Sequence, residues 1–80
     1  MKEMDAKILK SIGAKIREIR LQKNMTQKEL AFTLDIEISQ ITRIETGKIN
    51  TSILNLIKIS KALEVDVTEL FNFKIDKDIS

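Results

Sequence analysis

The stretch that decides the fold runs Gln27-Lys28-Glu29-Leu30-Ala31-Phe32-Thr33-Leu34-Asp35-Ile36-Glu37-Ile38-Ser39-Gln40-Ile41-Thr42-Arg43-Ile44-Glu45-Thr46. Thr26 stands just before it, and Thr26-Gln27-Lys28-Glu29 has the spacing of a capping box. In such a box the hydroxyl accepts from the Glu29 amide while the Glu29 carboxylate reaches back. A helix is therefore expected to start at Gln27, with Leu30, Ala31 and Leu34 on its buried face. Asp35 and Ile36 do not continue that pattern, so the helix is short. Ile41 and Ile44 define another short helix over residues 38–46, ended by Gly47. Ala31 is small enough to let two helices cross steeply, and Ile36 is placed to plug the angle between them.

Upstream, Ile8, Ile12, Ile16 and Ile19 recur at helical spacing. They form one face of an amphipathic helix that ends near Lys23, with Asn24 as a left-handed cap. Asp5 and Ser11 are the candidates for its N-cap. Downstream, a polar loop over residues 48–51 leads to a helix capped by Thr51 or Ser52, with Ile53, Leu56, Ile57, Ser60 and Leu63 on one stripe. Asp66-Val67-Thr68-Glu69 is a further capping-box-like start, for a fifth short helix near residues 67–71. Then Phe71, Phe73 and Ile75 alternate with Asn72, Lys74 and Asp76, the period of a half-buried strand. The expected fold is all-α: a compact five-helix bundle with a short extended strand at its C-terminal end. Within it, residues 27–46 have the pattern of a helix-turn-helix.

Composition limits what such a bundle can do. The 80 residues suit a single domain, and a core of this size is near the lower limit for independent folding. There is no Cys and no His, hence no disulfide, thiolate nucleophile, imidazole base or Cys-based metal site. Glycine occurs only at 13 and 47, so no Gly-rich phosphate loop can be written. Met1-Lys2-Glu3-Met4-Asp5 leads into no apolar run of the signal-peptide kind. The longest uncharged run, Ile49 to Ile57, is nine residues, against roughly 20 needed to span a bilayer. A cytoplasmic protein is expected. Only carboxylates, lysines and hydroxyls remain for chemistry, and pairs such as Asp76 and Asp78 lie on a short tail. An enzyme is not expected, nor a metal, cofactor, small-molecule ligand or membrane partner. The net charge of +2 hides a split: residues 1–62 carry +5 and residues 63–80 carry −3. A basic body with an acidic end suits an anionic partner for the body, against the plainer alternative of solvated surface charge.

Residues 16–71 resemble the DNA-binding domain of the phage Cro/CI repressor-like family, the Xre-type or lambda-repressor-like helix-turn-helix. The residues that carry the resemblance are Ile16-Arg17-Glu18-Ile19-Arg20, Met25-Thr26-Gln27-Lys28-Glu29-Leu30-Ala31, Ile41-Thr42-Arg43-Ile44-Glu45-Thr46-Gly47-Lys48 and Leu56-Ile57-Lys58-Ile59-Ser60-Lys61-Ala62-Leu63. Each piece is modest alone; their order and spacing make the match specific. On this division residues 1–80 form one domain, the motif spans 27–46 and residues 72–80 are a tail.

The resemblance implies that the second motif helix enters the major groove of double-stranded DNA. Ile38, Ser39, Thr42 and Arg43 then point away from Ile41 and Ile44, with Gln40 at the flank, as base-reading residues. The planar fork of Arg43 matches guanine O6 and N7, and Ile38 suits a thymine methyl. Gln27 is implied at a phosphate, as are Lys48 and Asn50, and more weakly Thr46. Lys10, Lys15 and Lys28 are candidates to widen the basic face. Arg20 and Glu45 are implied to be a structural ion pair, and Met25, Leu30, Phe32 and Leu34 core or boundary residues. Three residues depart from the family pattern: Asp35 and Glu64 where Gly is common, and Glu37 where Ser or Thr usually caps the reading helix.

The expected function is a sequence-specific transcriptional regulator, repressor or autoregulator, that binds palindromic operators as a homodimer and associates with the bacterial nucleoid. Leu70, Phe71, Phe73 and Ile75 are the apolar residues left for the dimer interface. The alternative is a protein-interaction module that keeps the bundle without specific DNA binding.

Overall fold

Four α-helices and one 3-10 helix make up residues 2–75, the part of the chain that the computed structural model describes. They are α1 (Glu3–Gln22), α2 (Gln27–Leu34), α3 (Ile38–Glu45), α4 (Ile53–Ala62) and the 3-10 helix (Val67–Phe71). The fifth helix is thus a 3-10 turn: Asp66 Oδ1 accepts from the Thr68 amide at 3.0 Å, a tighter turn than a capping box makes. Residues 72–75 form no strand, and the rest of the expected strand lies outside the described residues.

Helix starts follow local chemistry where a cap exists. The Thr26–Glu29 box is complete, with both bonds at 3.0 Å. Ser52, not Thr51, caps α4 through the Asn55 amide. Neither Asp5 nor Ser11 caps α1, which begins earlier, after Lys2, with no side-chain cap. Ser11 instead bonds back to the Lys7 carbonyl.

All four α-helices end the same way. A residue with positive φ follows each: Asn24 (56°), Asp35 (56°), Gly47 (71°) and Glu64 (59°). The next amide reaches back over the last turn: Met25 to the Arg20 carbonyl, Ile36 to Ala31, Lys48 to Arg43 and Val65 to Ser60. These are Schellman motifs, which satisfy carbonyls that a helix end would otherwise leave orphaned.

Every side chain of the core is aliphatic: Ile16, Ile19, Leu30, Ala31, Ile41, Ile44, Leu56, Ile59, Leu63 and Leu70. α1 packs on α3, α2 on both α3 and α4, and the 3-10 helix closes the bundle against α1 and α4. Both glycines serve the α1–α3 crossing. A Cβ on Gly13 would stand within 2.6 Å of the Glu45 carbonyl oxygen and closer still to that of Ile44. One on Gly47 would meet the Lys10 backbone at 2.6 Å. α1 therefore braces the end of α3 backbone against backbone.

Three expectations about burial need correction. Leu70 is fully enclosed, because the 3-10 helix turns it into the bundle, so it offers no dimer surface. Phe32 stands in solvent at 87% exposure, on the side of α2 away from the core. In α4 the buried residues are Leu56, Ile59 and Ser60, followed by the C-cap Leu63, while Ile53 and Ile57 face out beside Leu54.

Candidate nucleic-acid interface

α3 is held from below and left bare above. Ile41 and Ile44 are buried, at 1% and 6% exposure, and anchor it on α1 and α2. Ile38, Ser39, Gln40, Thr42 and Arg43 are all exposed. Gln40 sits at the flank, on the rim of a small hollow shared with Ile36 and Asn55. Arg43 is exposed and makes no side-chain hydrogen bond or ion pair among the described residues, so its donors remain available to a ligand. Glu37 precedes α3 and makes no capping bond, which leaves the helix start without a side-chain acceptor.

A buried polar cluster fixes the angle between the motif helices. Arg20 Nε donates to Glu45 Oε2 at 2.7 Å, and Arg20 Nη2 donates to Glu45 Oε1 at 3.1 Å. Arg20 Nη1 donates to the Met25 carbonyl at 2.8 Å. The two side chains are only 7% and 1% exposed, so the pair is deeper than a partly buried one. One element more joins them: Gln27 Nε2 donates to Glu45 Oε1 at 3.0 Å. The end of α1, the start of α2 and the end of α3 thus meet on one carboxylate. The sequence signals Arg20 and Glu45 through the resemblance, but nothing in it signals that Gln27 completes the pair.

The expected phosphate contacts fall on one edge of this surface with unequal capacity. The capping box occupies the Glu29 amide, and the Gln27 and Lys28 amides at the α2 start have no partner among the described residues. Lys48 and Asn50 are exposed in the loop after α3. Thr46 is different: its hydroxyl donates to the Thr42 carbonyl at 2.7 Å, so its single proton is not free for a phosphate oxygen. Lys15 pairs with Glu18 at 3.3 Å, and Lys10 lies against Gly47. Lys28 is exposed.

A second exposed surface is apolar, and of its residues the sequence reading picks out only Phe71. Ile53 (76%), Leu54 (60%) and Phe71 (47%) stand out from α4 and the 3-10 helix. Ile53 and Phe71 border a groove lined also by Ile8, Leu9 and Ile49. The signal was present as an excess: apolar side chains at 53, 54, 56, 57, 59 and 62 are too many for one helical stripe.

No helix among the described residues is long and apolar enough to cross a membrane.

Comparison with known proteins agrees with this geometry. The helix-turn-helix family model matches residues 16–70. The control protein C.BamHI of Bacillus amyloliquefaciens is 48% identical over 62 residues, 76% of each chain. The control protein C.MunI of a Mycoplasma species is 36% identical over 61 residues, 75% of this chain and 82% of that one. Among solved structures, the restriction-modification controller protein C.AhdI from Aeromonas hydrophila superposes with a TM-score of 0.75 at 35% identity. That match covers 82% of this chain and 98% of the other. The chain belongs to the helix-turn-helix family of Cro/CI-like DNA-binding proteins, and it is a regulator of transcription, not an enzyme.

Proposed function

We propose that this chain is a restriction-modification controller that binds a palindromic operator as a homodimer and reads it with α3. The observation that carries the reading is the outward face of α3: Ile38, Ser39, Thr42 and Arg43 are exposed together over a buried Ile41–Ile44 anchor. Arg43 supplies the bidentate base contact, and Gln27, Lys48 and Asn50 hold the flanking phosphates. The names of its relatives, control proteins and a restriction-modification controller, support the biological role.

Dimerisation follows from what one such helix can do. A single motif reads only a few base pairs, and paired motifs reach half-sites about 34 Å apart. The apolar surface of Ile53, Leu54, Ile57 and Phe71 is the interface this chain offers for that purpose, while Phe73 and Ile75 lie against α1 beside Lys7, Ile8 and Ser11. Of the residues expected at the dimer interface, Phe71 stays in it and Leu70 drops out, because Leu70 is already buried.

Selection of bound duplexes from random DNA tests the proposal. The expected result is a two-fold symmetric site with half-sites one helical turn apart. Enrichment of a single unrepeated half-site, with one chain bound, contradicts it.

A further inference from the structure

Resting on that DNA-binding reading, we propose that Thr42 is a specificity-determining residue that accepts a hydrogen bond from an exocyclic amine, adenine N6 or cytosine N4, in the major groove. Glu45, paired with Arg20, is an ionised carboxylate and can only accept. Gln27 must therefore turn its amide nitrogen toward it, and does so at 3.0 Å. That orientation puts Gln27 Oε1 at the other end of the amide, 3.2 Å from Thr42 Oγ1. The Ile38 carbonyl lies 3.3 Å from the same hydroxyl.

Both protein neighbours of Thr42 Oγ1 are proton-free oxygens, and a hydroxyl has one proton. That proton goes to Gln27 or to Ile38. What the exposed hydroxyl presents outward is lone pairs. Among major-groove edges only the amines of adenine and cytosine complement lone pairs. Guanine O6, guanine N7 and thymine O4 are acceptors themselves. Gln27 is then a positioning residue for base reading as well as a phosphate contact. Arg43, which can only donate, complements Thr42 by taking the opposite kind of edge.

The test begins with sites selected from random DNA by the wild-type chain, by Thr42→Val and by Thr42→Ser. It locates the base pair that Thr42→Val no longer discriminates. That pair is then altered in two ways: the exocyclic amine is deleted (purine for adenine, 2-pyrimidinone for cytosine), or the exocyclic carbonyl of the partner base is deleted. The expected result is that amine deletion weakens wild-type binding about three- to tenfold, the worth of one hydrogen bond. It should leave Thr42→Val nearly unchanged, and Thr42→Ser should behave as wild type. Carbonyl deletion should affect wild type and Thr42→Val alike. Because each deletion is compared across two proteins, its effect on base pairing cancels. Sensitivity of wild type to the carbonyl rather than the amine overturns the proposal, as does selection of the same site by Thr42→Val. Enrichment of no sequence by the wild-type chain is a different result: it defeats the DNA-reading proposal itself, and this one with it.

Discussion

Glu45 is the residue on which most depends. Its carboxylate takes three N–H donors from two other helices and sits at 5% exposure. Glu45→Gln keeps the shape and removes the charge, which leaves the Arg20 guanidinium buried without its counter-ion. Such a change is expected to cost about 3–5 kcal/mol, a large share of the roughly 5–15 kcal/mol that keeps a small domain folded. Urea unfolding measures it; a loss under about 1 kcal/mol would show the pair to be dispensable. Arg43→Ala is the contrast, because that side chain is exposed and makes no hydrogen bond or ion pair among the described residues. It should leave the urea midpoint in place and lower affinity for the selected site by about 1–3 kcal/mol. Arg20, Glu45 and the outward residues of α3 were legible from the sequence, since periodicity and the resemblance place them. The Gln27–Glu45 and Gln27–Thr42 bonds were not, because a side chain's third partner depends on where separate helices meet.

Helix ends were mostly legible, and helix faces less so. The capping box, Asn24, Gly47 and Ser52 announce boundaries through residue types with specific backbone or hydrogen-bonding roles. α4 defeated the same kind of reading because it carries two apolar stripes, and period 3.6 cannot say which one the bundle takes. Glu64 shows what a departure from glycine entails. It holds φ 59° with an ordinary side chain, a strain of roughly 1–2 kcal/mol that Asn and Asp bear more easily. Glu64→Gly, offset by the greater freedom of the unfolded chain, is expected to stabilise the protein by up to about 1 kcal/mol. A lower melting temperature for Glu64→Gly would contradict the strain argument. The capping box also makes a pH prediction. The Thr26 amide, and then its hydroxyl, hold the Glu29 carboxyl below its ordinary range, and the Thr68 amide does the same for Asp66. A carboxyl depressed in the folded state stabilises the fold above its unfolded pKa, and that contribution is lost as pH falls through the folded one. Melting temperature should therefore decline on acidification through the carboxylate range. Glu29→Gln, which still caps but does not titrate, should flatten the decline. Parallel curves for the two proteins would rule out this source.

At the scale of the molecule, charge and apolar surface divide the work. The basic body carries the α3 face, and the acidic C-terminal end begins beyond α4. The exposed apolar residues of α4 and the 3-10 helix are the surface proposed to join two chains. Leu54 is 60% exposed, so Leu54→Glu should leave the monomer folded while placing like charges across a two-fold contact. Sedimentation should then report a monomer, and affinity for the palindromic site should fall with it. A Leu54→Glu protein that remains dimeric would move the interface elsewhere. That surface was only half legible, because Phe71 and Leu70 are neighbours in sequence and only the 3-10 turn decides which one points out.

The central claim is that the outward side chains of α3 lie against base edges. It is tested most directly by nuclear Overhauser contacts between the labelled chain and its selected duplex. The account predicts contacts from Ile38, Thr42 and Arg43 to major-groove protons, with Gln27 and Lys48 near the backbone sugars. A complex in which those three side chains show no contact with the duplex, while another helix does, would contradict it.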